Sequence, residues 1–181
     1  AEALANYGSD KPDLRFGMLL ADLTDIVKDS GFRVFAKVAA EGGQVKAICA
    51  PGCAGYTRRQ VDELGELAKT LGAQGLAWIA VAEGEAKSPI AKFLQPAELD
   101  GILATTNAQP GDLVLIVADQ PAVVAATLGE LRLEMGRRLG LMDAGVLAFG
   151  WVVDFPLLEW NVEERRYTAV HHPFTAALDE D

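Results

Sequence analysis

The sequence is poor in cysteine and contains no long uninterrupted apolar run. Its two cysteines, Cys49 and Cys53, are too few for a disulfide framework, so a reducing compartment such as the cytoplasm is expected. No apolar stretch reaches the ~18–20 residues that a membrane-spanning helix needs, so no membrane partner is expected. The first residues, AEALANYGSDK, lack the charged and apolar regions of a secretory signal, and we expect no signal peptide there.

Basic residues are also scarce. The 181 residues include 16 lysines and arginines against 26 aspartates and glutamates, which gives a net charge of −10. A broad nucleic-acid-binding face needs dense lysine and arginine, so this composition disfavours one while leaving room for a local RNA contact. Half of the residues are hydrophobic, which predicts a folded globular chain.

The hydrophobic pattern predicts alternating helices and strands. The clearest helix begins at Thr57, because Thr57 and Gln60 match a capping box, and it is expected to end at Gly72. A second long helix is expected after Asp119, whose side chain is expected to cap it. Its apolar stripe comprises Val124, Leu128, Leu131, Met135 and Leu139.

The other predicted elements are shorter. Their order is compatible with either an α+β or an α/β fold. They are helices at the start of the chain, at 19–30 and at 96–106; strands at 76–82, 113–118 and 147–155; a hairpin of 32–38 with 45–49; and a hairpin of 157–160 with 167–170.

Two kinds of residue are candidates for chemical sites. A zinc site needs four ligands, and Cys49 and Cys53 have no second pair, so they are interpreted as small buried residues near a turn, with no metal bound. Arginines on the two long helices are conceivable phosphate contacts, but charges between them favour solvated helix faces. They are Arg58, Arg59, Arg132, Arg137 and Arg138.

The only two histidines, His171 and His172, precede Pro173 after a predicted strand. Pro173 favours extended backbone at His172, and a histidine there could contact an anion or titrate. From these residues alone, an ordinary strand end is as good an interpretation as a binding site.

Six segments, in order, resemble bacterial aspartyl-tRNA synthetases. YGSDKPDLRF (7–16) resembles the point where the catalytic domain of that family leads into an inserted domain, and WVVDFPLLEW (151–160) and HHPFTA (171–176) resemble the return. Three segments resemble the insert itself: GYTRRQVDELGELAKTLGAQGLAWI (55–79), SPIAKFL (88–94) and LGELRLEMGRRLGL (128–141).

The resemblance implies an α+β fold: a two-layer sandwich with a mixed or antiparallel sheet and helices on one face, plus flanking strands of a class II catalytic sheet. It implies a domain organisation of 1–18 as catalytic-domain segment, 19–146 as inserted domain of the GAD type and 147–181 as catalytic-domain segment. It also implies part of a cytoplasmic, homodimeric ligase that joins L-aspartate to tRNA through aspartyl-adenylate.

The family's properties also imply what this chain contributes. His171 matches a residue that lines the aspartate pocket, and the adjacent His172 is a second candidate for aspartate binding. ATP and Mg²⁺ are expected for the intact enzyme and neither for this chain, because the two class II motifs that carry arginines for ATP lie outside it. No catalytic residue is expected within the chain, which is predicted to be inactive alone. The tRNA is expected to approach through its acceptor end.

Two alternatives remain at this point. One is a stand-alone insert-like module that binds RNA or an amidotransferase, although such a module has no use for flanks that resemble half a catalytic pocket. The other is a small α/β metabolic enzyme with a nucleotide site, which lacks a phosphate-binding loop and a nucleophile.

Overall fold

The computed structural model describes residues 2–83, 85–153, 156, 158–161 and 163–170. The chain divides into two compact units, Ala1–Phe149 and Gly150–Asp181. In chain order the first unit contains α1 (Glu2–Tyr7), β1 (Ala21–Asp22), α2 (Thr24–Val27), α3 (Arg33–Ala40), β2 (Gln44–Ala50), α4 (Arg58–Thr70), β3 (Ala77–Ala82), β4 (Glu85–Lys87), a 3₁₀ turn (Ala91–Phe93), α5 (Pro96–Thr105), β5 (Leu113–Asp119) and α6 (Pro121–Arg138).

The first unit is built on a five-stranded sheet with the order β1-β2-β5-β3-β4. Every pairing in it is antiparallel, and the longest pairing joins all seven residues of β2 to β5, from Gln44 opposite Asp119 to Ala50 opposite Leu113. The predicted α+β class with an antiparallel sheet is therefore confirmed.

Helices cover both faces of this sheet, which corrects the prediction of two layers with helices on one face. Along β5, Leu113, Leu115 and Val117 pack on one side with α4 and α6. Val114 and Ile116 pack on the other side with α2, α3 and α5. A strand that is apolar at every position must be covered on both sides, and the run LVLIVA carried this signal.

Residues 33–40 form the helix α3 with Phe32 as its N-cap, so the predicted strand 32–38 and its hairpin with 45–49 are wrong. The alternation of Phe32, Val34, Ala36 and Val38 suggested a strand, but it left Phe35 unexplained. Phe32, Phe35 and Val38 instead lie three residues apart on one helix face and pack into the second side of the core. The predicted strand 45–49 is confirmed as β2, which pairs with β1 and β5.

Two further predictions need correction. The helix expected over 19–30 is reduced to α2, because Ala21 and Asp22 pair with β2. Residues 147–153 are not in a strand, although 147–155 was predicted as one; Asp154 and Phe155 lie outside the described residues.

Both long helices and the strands β3 and β5 agree with the sequence. Thr57 and Gln60 form the predicted capping box of α4, and β3, α5 and β5 lie within a residue or two of their predicted bounds. Helix α6 buries Val124, Leu128, Leu131 and Met135 as expected. Its N-cap is Gln120 rather than Asp119, whose carboxylate accepts hydrogen bonds from the backbone N–H groups of Gln74 and Gln120.

In the second unit, β6 (Leu158–Asn161) pairs antiparallel with β7 (Arg166–Ala169), which confirms the predicted hairpin. Trp160 lies opposite Tyr167, and their rings meet edge to face at 5.3 Å between centroids. In the part of the chain that the structure describes, no helix combines the length and the apolar character that a membrane span needs.

Candidate functional site

The two predicted aspartate-binding residues, His171 and His172, lie outside the described residues. The structure describes the chain up to Val170, which follows β7 directly. The assignment of both histidines therefore stays a prediction.

The most elaborate cluster of polar contacts in the first unit surrounds Arg132 of α6. This cluster binds the irregular segment of residues 8–18, called here the strap, which runs between α1 and β1. The Arg132 side chain is only 1% exposed. Its Nη2 lies within hydrogen-bond distance of the carbonyl oxygens of Asp13 (2.9 Å), Phe16 (2.7 Å) and Gly17 (2.8 Å).

The same side chain makes four further contacts. Its Nε lies within hydrogen-bond distance of the carbonyl oxygens of Gly17 (3.1 Å) and Met18 (3.2 Å). Its Cζ lies 4.0 Å from the centre of the Phe16 ring and 5.0 Å from that of Tyr7, in cation–π geometry. One cation thus satisfies four strap carbonyls, and charge-assisted hydrogen bonds of this kind are stronger than neutral ones.

Glycines of α6 allow the strap to lie directly on the helix. A Cβ at Gly129 would come within 2.9 Å of the Gly8 carbonyl oxygen, and one at Gly136 would come within 2.6 Å of the Phe16 ring. Ala125, Gly129, Arg132 and Gly136 share one face of α6, separate from its apolar stripe. The strap therefore packs on a face made of small residues around one arginine.

A second arginine folds the strap onto itself. The Arg15 guanidinium donates to both carboxylate oxygens of Asp13, with a closest distance of 2.7 Å, and its Nη1 donates to the Asp143 carbonyl at 3.2 Å. The hydrogen bond from the Arg15 side chain holds the pKa of Asp13 at about 2, below its ordinary 3.8, although partial burial opposes this effect. Asp13 is therefore charged throughout the neutral range.

Arg132 was predicted to lie on a solvated helix face, and that prediction is wrong. The helical spacing of Ala125, Gly129 and Gly136 around Arg132 was a signal for close packing that the charge pattern concealed. The other arginines are at the surface as expected: Arg58 and Arg59 pair with Asp62 and Glu63, and Arg137 and Arg138 both pair with Glu134.

The two cysteines lie near a turn, Cys53 buried and Cys49 half-buried, as predicted. The Cys49 thiol donates to an oxygen of the Asp112 carboxylate at 3.5 Å. Burial and the Asp112 charge raise the pKa of Cys49 to about 12, so the thiol stays protonated and is a poor nucleophile. Within the described residues, no group of three or more histidine, cysteine, aspartate or glutamate side chains is placed to hold a metal ion.

Comparison with known proteins finds one matching family model and a set of similar proteins that are longer than this chain. The model of the GAD domain matches residues 35–128. Over 99% of its length, the chain is 57% identical to the aspartate–tRNA(Asp/Asn) ligase of Moorella thermoacetica. It is 58% identical over 100% to the protein of the same name from Symbiobacterium thermophilum, and 55% identical over 99% to the aspartate–tRNA ligase of Clostridium novyi. The chain spans about 30% of the length of these relatives.

Proposed function

The chain belongs to the GAD domain family, and from this premise we propose that it serves as a segment of an aspartate–tRNA ligase. The observation that carries the proposal is the extent of the similarity. The family model matches residues 35–128, whereas the similarity to the ligases covers 99–100% of the chain, including both flanks of the matched domain. A stand-alone RNA- or amidotransferase-binding module gives no reason for that similarity in the flanks.

The proposed reaction is the ATP-dependent aspartylation of tRNA through aspartyl-adenylate, carried out by the parent enzyme in the cytoplasm as a homodimer. ATP and Mg²⁺ belong to that enzyme. Because the described residues contain no group arranged for a metal ion, we derive no step of ATP or Mg²⁺ chemistry from this chain. The domain assignment carries over from the sequence: 1–18 and 147–181 as catalytic-domain segments, with 19–146 as the insert.

Within this proposal, His171 binds the substrate aspartate, because an imidazole N–H can donate to a carboxylate. In the full-length ligase, His171→Ala is expected to raise the KM for aspartate far more than the KM for ATP or tRNA. The matched variant His172→Ala separates the two histidines, with a smaller effect expected. Unchanged aspartate kinetics in His171→Ala would remove the assignment.

The direct test of the proposal is an activity assay at two chain lengths. The full-length polypeptide is expected to catalyse aspartate-dependent exchange between ATP and pyrophosphate and to aspartylate tRNA. The isolated 181-residue chain is expected to do neither. A full-length protein that folds but lacks both activities contradicts the proposed function, and activity of the isolated chain contradicts its role as a segment.

The names of several relatives also support a broader tRNA specificity. The Moorella thermoacetica and Symbiobacterium thermophilum proteins are named for both aspartate and asparagine tRNAs. The full-length ligase is accordingly expected to aspartylate both tRNAs. Aspartylation of tRNA(Asp) alone, measured with purified transcripts of each, would restrict the proposal to that substrate.

A further inference from the structure

We propose that Arg132 is a positioning residue of the ligase. Its guanidinium fixes the strap on α6 and thereby fixes the orientation of the insert (residues 19–146, called here the inserted body) relative to the polypeptide that enters through α1. The proposal rests on the proposed function, because only a longer ligase has a catalytic part to orient. Arg132 acts through the strap, and we assign it no contact with substrate.

Side-chain contacts hold the backbone of the strap in its conformation. Among the described residues, no backbone-to-backbone hydrogen bond involves residues 9–19. The segment is held instead by the Arg132 guanidinium, by the Asp13–Arg15 pair and by the Phe16 ring against Gly136. Since Arg132 alone serves four carbonyl groups, its removal takes away the largest set of these contacts.

The course of the strap is also strained. Met18, whose carbonyl is one of the Arg132 acceptors, has a φ of 61°, in the left-handed region that side chains with a Cβ disfavour. Such a conformation persists only where the surrounding contacts impose it. Without Arg132, therefore, the strap is expected to relax away from its docked position.

Helix α1, which precedes the strap, is also attached to the inserted body. Helix α1 packs beside α6, and the buried Lys46 of β2 donates from Nζ to the Ala5 carbonyl of α1 at 3.2 Å. The backbone N–H of Leu20 donates to the Asn6 carbonyl at 2.9 Å, which closes the loop between α1 and the residues just after the strap. A chain that arrives through α1 is thus held at both ends of the strap.

The expected consequence is a split between the two half-reactions of the ligase. Under the proposal, aspartate activation uses the catalytic part alone, whereas the inserted body lies beside the bound tRNA and must be correctly oriented for transfer. A loosened strap misplaces that body, and small misplacements far from the reacting atoms can cost up to ~100-fold. Transfer is expected to suffer while activation is retained.

The experiment uses the full-length ligase with Arg132→Met and Arg132→Lys. Arg137→Met is the matched control, because Arg137 lies on the same helix but pairs with Glu134 at the surface. Pyrophosphate exchange reports activation, and steady-state aspartylation reports the KM for tRNA. Limited trypsin digestion reports the strap itself, since cleavage after Arg15 requires the segment to leave α6.

Three results are expected from Arg132→Met: a KM for tRNA raised at least about tenfold, pyrophosphate exchange within about twofold of wild type, and rapid cleavage after Arg15. Arg132→Lys is expected to restore little, because a single ammonium lacks the planar fork and the stacking surface of guanidinium. Arg137→Met is expected to match wild type in all three measurements.

Several outcomes overturn the proposal. An equal fall in exchange and aspartylation would make Arg132 merely structural, and an unchanged KM for tRNA despite a cleaved strap would show that the strap positions nothing. Full rescue by lysine would contradict the role assigned to the guanidinium, because a point charge would then suffice. If wild-type enzyme lacks both activities, the proposed function fails, and the trypsin result still reports on the strap by itself.

Arg132→Met could also fail to fold. In that case Gly129→Ala carries the same test, because its Cβ would meet the Gly8 carbonyl oxygen at 2.9 Å and push the strap outward while Arg132 remains. The same split between half-reactions is expected, and its absence in a folded Gly129→Ala enzyme overturns the proposal.

Discussion

Two irregular segments of the first unit differ in how they pack against the rest of that unit. The strap, residues 8–18, is rich in charge and glycine, yet it packs against α6 through the Arg132 guanidinium and the Phe16 ring. Residues 142–149, called here the connector, are mostly apolar, yet Leu147 is 79% exposed and Phe149 is 88% exposed. The comparison shows that a specific polar partner can hold a segment against the core even when the segment's own hydrophobicity would not predict that it packs there.

The largest expected effect comes from removing the strap's partner. Arg132→Met keeps an apolar stem but leaves four carbonyls without their donor, so the free energy of unfolding is expected to fall by roughly 2–4 kcal/mol. Urea denaturation of the 181-residue chain measures this loss. Arg137→Met, an exposed arginine of the same helix, is expected to stay within about 0.5 kcal/mol of wild type. An equal loss of unfolding free energy in the two variants would show that the buried Arg132 contributes no more to stability than an exposed arginine.

A matched pair of phenylalanines compares the two segments directly. Phe16→Ala removes a ring that packs on Gly136 and Arg132 and is expected to destabilise the chain by about 1–3 kcal/mol. Phe149→Ala removes an exposed ring of the same size, and we expect a change below about 0.5 kcal/mol. Thermal melts of both variants check the difference. A larger loss from Phe149→Ala would mean that the connector is the better anchored segment.

A smaller effect is expected in acid. The pKa of Asp13 is about 2 in the folded chain and ordinarily 3.8, so its pairing with Arg15 contributes stability above about pH 4. That contribution is lost as the pH falls from about 4 towards 2. Wild type should therefore lose more stability across this window than Asp13→Asn. Arg15→Gln is expected to reduce the acid sensitivity in the same way, and identical acid profiles for all three would contradict the assignment.

The elements that could be predicted from sequence are those whose local signals agree with their packing. Helix α4 combines a capping box with a helical apolar stripe, and β5 is a continuous apolar run between turn residues. Helix α3 was missed because Phe32, Val34 and Val38 fit a strand as well as a helix. Only burial of Phe35 against the sheet distinguishes the two.

The Arg132 site could not be derived from local signals, because its partners lie more than a hundred residues away and are backbone carbonyls. Any residue can offer a carbonyl, so the strap sequence does not reveal that it is bound. Residues 147–153, which begin within the connector, show the converse case: they have the composition of a strand, but pairing needs a neighbouring strand that local sequence does not specify.

A double-mutant cycle on Arg132 and Phe16 tests most directly whether the strap is held as one unit. The account predicts that Arg132→Met and Phe16→Ala together destabilise the chain by less than the sum of the single changes, with a coupling of roughly 0.5–3 kcal/mol. Additivity within about 0.3 kcal/mol would contradict it, because the arginine and the strap would then contribute independently.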